Sequence, residues 1–352
     1  MSQESPILKN GKLPGHLLQD LINGLPKTSV DERLIVGPRL GEDAAHILFG
    51  ETTLLAKTDP ITFATDRIGW YAVNVNANDI AVAGGTPKWF LATLMMPPGS
   101  SENEIRDIFT QIGDAVHDIG AQMAGGHTEI TPAVTQPVIC GFMLGEAPTG
   151  RTVSASGAQP GDAVILTKGI AIEGTSILAN ECREELVHAG VPTTEINVAG
   201  QLLIDPGISV LKDAQTAKSA GGITAMHDPT EGGLSTALQE LAFASNVDIV
   251  IDETAVNVLP VCQAICDALS INPWGLISSG ALLATVQPDH EDAVIAALES
   301  TDIDADTIGR VEDVGTEHGG PTVYTRSDLD SPPRPIIAFE RDELARYFEN
   351  DP

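Results

Sequence analysis

The sequence predicts an α+β architecture of two domains, and three observations carry the prediction. The chain has 352 residues, about twice a common domain length. Hydrophobic residues make up 42% and charged residues 19%, enough apolar content for a sizeable core and too much for a disordered chain. Strand-like and helix-like segments mix in both halves, with no short-period repeat or low-complexity tract that would argue a solenoid or coiled coil.

Taken in order, residues 51–59 form a β-rich run that meets Asp59-Pro60, read as a strand closed by a turn. From Arg67 to Gly84 the chain is apolar nearly all round and lacks Pro, which predicts a buried helix whose polar residues Asn74, Asn76, Asn78 and Asp79 stand out. A strand near Trp89–Met95 precedes Ser101-Glu102-Asn103-Glu104, a capping box. Ile105, Ile108, Phe109, Ile112, Val116 and Ile119 then follow at helical spacing as far as Gly120. Pro137 to Glu146 predicts another strand, and the polar stretch from Ala147 to Gly161 is the best domain boundary. The second half opens with a strand from Asp162 to Thr167, then a Gly-punctuated turn and helices up to Ala220. A helix at Leu234–Ala244, a strand at Val247–Asp252, a helix at Val261–Leu269 and a strand after Gly280 complete the expectation.

Charge and cysteine usage narrow the partners. Nineteen Lys and Arg against 49 Asp and Glu give a net charge of −30, a field that repels polyanions and argues against nucleic acid and anionic membranes. The acids run along the whole chain, as on a globally acidic surface; a salt-adapted proteome would explain it. Residues 1–15 lack the apolar core of a signal peptide, and no run reaches the 18 apolar residues of a membrane helix, so a cytoplasmic location is expected. Cys140, Cys182, Cys262 and Cys266 show no CxxC spacing, and buried thiols are expected rather than a disulfide framework or zinc ribbon.

Four polar motifs sit at the ends of apolar segments: Gly41-Glu42-Asp43-Ala44-Ala45, Lys57-Thr58-Asp59-Pro60, Asn76-Ala77-Asn78-Asp79 and Gly125-Gly126-His127-Thr128-Glu129. Singly, each has a plain alternative, the Asp residues as turn or solvent-facing groups and Gly-Gly as a tight turn. Together, Asp43, Asp59 and Asp79 match what magnesium requires, hard oxygen ligands from a few carboxylates plus substrate phosphates. A nucleotide held through metal ions suits a chain with so few cations. Gly169 to Ser176 has P-loop glycine spacing but Thr175 where the phosphate-binding Lys should be, so a P-loop is rejected, while Lys168 could still face a phosphate. In His227-Asp228-Pro229-Thr230-Glu231-Gly232-Gly233, Asp228, Pro229 and Glu231 read as N-cap, N1 and N3 of a helix. The two glycines cost about 1 kcal/mol each relative to Ala within first turns, which argues that something approaches the backbone there, an anion for example. On the residues alone, a structural role outweighs a catalytic one for His127 and His227.

In this order the motifs resemble those of the aminoimidazole ribonucleotide synthetase (PurM-like) superfamily, which includes selenophosphate synthetase, thiamine monophosphate kinase and the hydrogenase-maturation HypE proteins. The likeness runs from about Leu34 to about Asp313: GEDAA resembles the GDDAA-type loop, KTDP the strand-end TD motif, NAND the ND helix motif, GGHTE the GGDT or GGET turn, and HDPTEGG the HD-x-T-x-GG segment of HypE. It implies an N-terminal extension (1–33), an N-terminal ATP- and Mg2+-binding domain (34–148) whose strands pair across a homodimer, a C-terminal α+β domain (149–330) and a tail (331–352). By motif, Asp43, Asp59 and Asp79 carry over as metal residues and Lys57, Thr58, Asn78, Gly125, Gly126, Thr128 and Lys168 as cofactor-binding ones. Asp228, His127 and Glu129 carry over as catalytic residues, Glu129 in place of the acid that His127 replaces. The implied activity is HypE-like use of Mg-ATP for phosphoryl transfer to, or activation of, a small oxygen-containing acceptor, with a protein partner in a maturation pathway. A small-molecule kinase resembling thiamine monophosphate kinase and a non-catalytic nucleotide-binding maturation factor are the alternatives. The HypE reaction uses a C-terminal cysteine; here the last cysteine is Cys266, which sets the carbamoyl-to-thiocyanate step outside the expectation.

Overall fold

The computed structural model describes residues 12–26, 31–62, 67–315, 320–327 and 331–349. After α1 (Gly15–Asn23), the first half contributes β1 (Leu34–Val36), β2 (Ala45–Phe49), β3 (Thr52–Ile61), α2 (Ile68–Val82), β4 (Thr86–Met96), α3 (Glu102–Asp118), β5 (Gln122–Ile130) and β6 (Val138–Pro148). Its strands make one sheet in the order β1-β2-β3-β6-β4-β5, antiparallel except for the parallel β4–β5 edge.

As its composition predicts, α2 is buried on all sides apart from Trp70 and lies against β3 and β6. Gly69 lets it approach α3, because a Cβ there would stand 2.6 Å from the Ile108 carbonyl. The capping box of α3 is formed: Glu104 N–H donates to Ser101 Oγ at 3.2 Å, and Ser101 N–H to the Glu104 carboxylate at 2.6 Å. Its buried stripe is Ile108, Ile112, Ala115 and Val116.

Two sequence expectations change here. β3 does not stop at Asp59-Pro60 but continues to Ile61, pairing with β6 throughout. Pro60 is tolerated because β2 pairs only with Thr52–Ala56, so by Pro60 the strand has a neighbour on one side. The Gly-Gly pair of GGHTE is not a turn but part of β5, an edge strand whose every residue is exposed. Gly126 serves close strand approach, since a Cβ would come within 2.2 Å of the Ala92 carbonyl oxygen of β4.

The second half holds β7 (Ala163–Thr167), α4 (Ile172–Glu181), α5 (Arg183–His188), α6 (Thr193–Gly200), α7 (Leu211–Ala220), β8 (Ile223–His227), α8 (Gly233–Ser245), β9 (Asp248–Asp252), α9 (Pro260–Leu269), β10 (Leu283–Val286), α10 (Glu291–Glu299), β11 (Ala305–Glu312), β12 (Val323–Arg326), β13 (Arg334–Pro335) and α11 (Glu343–Glu349). The sheet order is β13-β12-β9-β11-β7-β10-β8, with β9–β12 the parallel pair. β7 is central and buried at every position; Val164 and Leu166 pack with α8, and Ile165 with α7 and α10.

The halves share a core in which Ile172, Leu202, Leu203 and Ile208 join the side chains of α2. Asn78 fastens the joint, its amide donating to Ile208 O at 2.8 Å while its carbonyl accepts from Val210 N–H at 2.9 Å. No helix among the described residues is long and apolar enough to cross a membrane.

Candidate active site

Four backbone segments aim their side chains at one point between the sheets. β3 supplies Lys57 and Asp59, α2 supplies Asp79, the loop before β2 supplies Asp43, and the end of β8 supplies His227 and Asp228. Lys57 Nζ lies 3.0 Å from Asp79 and 3.3 Å from Asp59. His227 stands between Asp43 at 3.4 Å and Glu240 of α8 at 3.1 Å, and Lys12 reaches Glu240 at 2.7 Å. Asn76 holds Asp59 in place, accepting from its N–H at 2.9 Å and donating to its carbonyl.

Electrostatics leave this cluster short of positive charge. Burial lowers the affinity of the Lys57 amine for its proton, but Asp79, Asp59 and Asp43 outweigh that and hold it well above the ordinary lysine range. Burial pushes Asp228 well up, with the neighbouring Asp79 and Asp43 adding to it. Glu240, despite burial, is held down at about 2 by His227 and Lys12. One oxygen of Asp79 and both of Asp228 are buried without a hydrogen-bond partner. Four carboxylates around one lysine and one histidine, with three orphaned oxygens, fit the binding of dications, to which Asp43, Asp59, Asp79 and Asp228 offer oxygens.

Other predicted residues fall elsewhere. Thr58 Oγ1 donates to Gly141 O at 2.8 Å, inside the sheet. Asn78 is occupied by the joint described above. Lys168 is enclosed, donating to Ser209 O at 2.8 Å and pairing with Asp213 at 3.2 Å. Gly125, Gly126, His127, Thr128 and Glu129 lie on β5, three strand positions from β3 and so about 14 Å away within one chain. There His127 Nε2 pairs with Glu129 at 3.3 Å, both side chains exposed.

Asp228 is not the helix cap that its position suggested. α8 begins at Gly233 with Gly232 before it at φ +82°, and Asp228 points into the cluster. The glycines do mark a close approach: a Cβ on Gly233 would stand 2.5 Å from the Trp274 carbonyl oxygen. The acid there belongs to the chain itself, since Gly232 N–H donates to the Asp342 carboxyl at 2.6 Å.

Two cavities adjoin the cluster. One, of about 60 Å³, is walled by Asp59, Glu173, Thr230, Glu231 and Ser279. The other, about 460 Å³, runs past Glu240 and is walled by Lys12, Leu40, Phe243, Phe339 and Arg341. Sequence reasoning missed Asn76, Glu240 and Glu173 as site residues. Asn76 carried a signal as a polar residue on an apolar helix; Glu240 and Glu173 carried none, being single acids in helical segments of an acidic chain.

The two-domain fold with a carboxylate cluster at its joint is that of an AIR synthase-like protein. The chain belongs to the AIR synthase related protein family, whose N-terminal domain matches residues 41–147 and C-terminal domain residues 159–319. Within it the chain is HypE-like. Carbamoyl dehydratase HypE of Cupriavidus necator is 30% identical over 295 residues, 79% of this chain and 78% of that protein. The Rhizobium leguminosarum bv. viciae protein of the same name is 28% identical over 306 residues, 84% and 83% of the two chains. Three solved structures share the fold: HypE in complex with ATP (TM-score 0.69, 22% identity, 93% of this chain and 91% of that one), a HypE–HypF complex (0.69, 24%, 85% and 93%), and ThiL complexed with AMPPCP and TMP (0.67, 19%, 92% and 95%).

Proposed function

We propose that the chain uses Mg-ATP for phosphoryl transfer to, or activation of, a small oxygen-containing acceptor. The observation that carries this reading is the set of orphaned buried oxygens on Asp79 and Asp228 beside Asp43 and Asp59. Bound magnesium would supply charge neutralisation and orientation for the triphosphate. The chain's own part is positioning: Asn76 fixes the Asp59 backbone, Lys57 holds Asp59 and Asp79 at a set separation, and Asp228 approaches from the second half. The ATP-bound HypE and the nucleotide-bound ThiL of like fold support a nucleotide here, and the HypE–HypF complex supports a protein partner in a maturation pathway.

The reading includes a homodimer joined along the first sheet. β5 is an edge strand exposed on both faces, with Met123 and Ile130 among its open apolar side chains, a surface that pairing with a second copy would cover. His127, Thr128 and Glu129 would then lie at the interface, where they can reach a cleft that they do not reach within their own chain.

Thermal unfolding with and without Mg-ATP tests the reading. Saturating Mg-ATP raises the midpoint of the parent by mass action, and Asp59→Asn and Asp79→Asn each lose most of that shift, because an amide is a poorer ligand for a hard dication. Variants that respond like the parent refute the metal assignment.

A further inference from the structure

His227 is arranged as metal-binding histidines are. It is 3% exposed at the end of β8, and its Nε2 faces Glu240 Oε2 at 3.1 Å, with Lys12 on the far side of that carboxylate. A carboxylate on one ring nitrogen fixes the tautomer and turns the other nitrogen's lone pair outward, the usual support behind a ligating imidazole. That other nitrogen, Nδ1, makes no hydrogen bond, and neither oxygen of Asp228, a residue 1% exposed, makes one either. Donor atoms of Asp43, His227 and Asp228 all lie within 4.8 Å of one another. Ligands of an ion held at about 2.1 Å stand about 3 Å apart when adjacent and about 4.2 Å when opposite, so an inward shift of these three side chains would bring their donor atoms onto one cation.

We infer that Asp43, His227 and Asp228 form a cation site with one nitrogen ligand, which selects a first-row transition ion such as Mn2+ over Mg2+. Magnesium takes hard oxygen ligands, whereas imidazole favours transition ions. The carboxylates Asp59 and Asp79, compensated by Lys57, remain all-oxygen and suit the magnesium that accompanies a nucleotide. The inference rests on the proposed function in reading the cluster as a cation site, but it needs no nucleotide. The competing arrangement is an imidazolium ion that itself bridges Asp43 and Glu240.

Electron spin echo envelope modulation of Mn2+ on the full, nucleotide-free chain separates the two. The expected spectrum shows nitrogen-14 coupling to a single bound ion, replaced by nitrogen-15 coupling when histidine alone is labelled, with binding retained in a hundredfold excess of Mg2+. This measurement needs no variant. His227→Gln should abolish the nitrogen coupling and weaken Mn2+ at least tenfold. Glu240→Gln should keep the coupling and weaken binding about 10- to 100-fold, the usual effect of losing a supporting partner. Bound Mn2+ without nitrogen coupling, no Mn2+ binding, or displacement by equimolar Mg2+ each overturns the inference. Nitrogen-coupled Mn2+ in a chain that fails to bind Mg-ATP would leave the inference standing and refute the nucleotide reading; the reverse result does the opposite.

Discussion

Replacing Glu173 by Gln should stabilise the protein at alkaline pH and leave it nearly unchanged at pH 4.5. Glu173 lies in the first turn of α4, is 4% exposed, and borders the smaller cavity with one carboxylate oxygen unpartnered. Burial pushes its carboxyl up from 4.5 to about 7, against the opposing hydrogen bond from Ser279. Between those two pH values the native chain holds a proton that the unfolded chain releases, so stability falls as pH rises through the window and levels above about 7. At 1.36 kcal/mol per pH unit, the interval amounts to about 3 kcal/mol at pH 8. Gln keeps the shape and does not titrate, so the variant escapes the loss. Urea unfolding of parent and variant at pH 4.5, 6 and 8 measures it. A variant advantage that is absent at pH 8, or equal at all three values, refutes the account of Glu173 as a buried acid ionised at a cost.

Asn78→Leu should lose about 2–4 kcal/mol in urea unfolding, because Ile208 O and Val210 N–H are both left buried without a partner. Gly126→Ala should lower the thermal midpoint or shift β5, since its methyl would meet the Ala92 carbonyl; an unchanged midpoint would show that the edge strand yields freely. Burial raises the Cys262 and Cys266 thiols to about 11 and 12, so both should resist a thiol reagent at pH 8 until the chain unfolds. Sedimentation should find a dimer in high salt that weakens below about 0.1 M, where screening extends beyond about 10 Å and the charge of −30 per chain repels; a monomer at every salt concentration rules the dimer out.

What could be read from the sequence was local. The Ser101–Glu104 box, the all-round apolar character of α2 and the strand at 162–167 each follow from neighbours a few residues apart, and each is present. The convergence of Asp43, Asp59 and Asp79 was legible because three short motifs pointed to one chemistry. What escaped depends on contacts across the chain. Pro60 remains in a strand because of where β2 stops, and GGHTE is a strand because β4 lies beside it. α8 starts late because Asp342 and the Trp274 carbonyl, 110 and about 40 residues on, occupy the space around Gly232 and Gly233. The second carboxylate beside His227 comes from Glu240, thirteen residues along, and no local spacing marks it.

The Asn78 joint has a consequence for how such a chain can change over time. A single amide spends its donor on one backbone group of the other half and its acceptor on a second, two residues further along. Asp lacks the donor, Leu lacks both functions, and Gln is longer by a methylene, so no other side chain reproduces the pair. The segment it grips is held also by Lys168 from β7's end, which means the partner surface is itself built by the second half. Exchanging one half for that of a distant relative would therefore transplant a lock without its key, and the halves should be inherited as a unit rather than shuffled as modules.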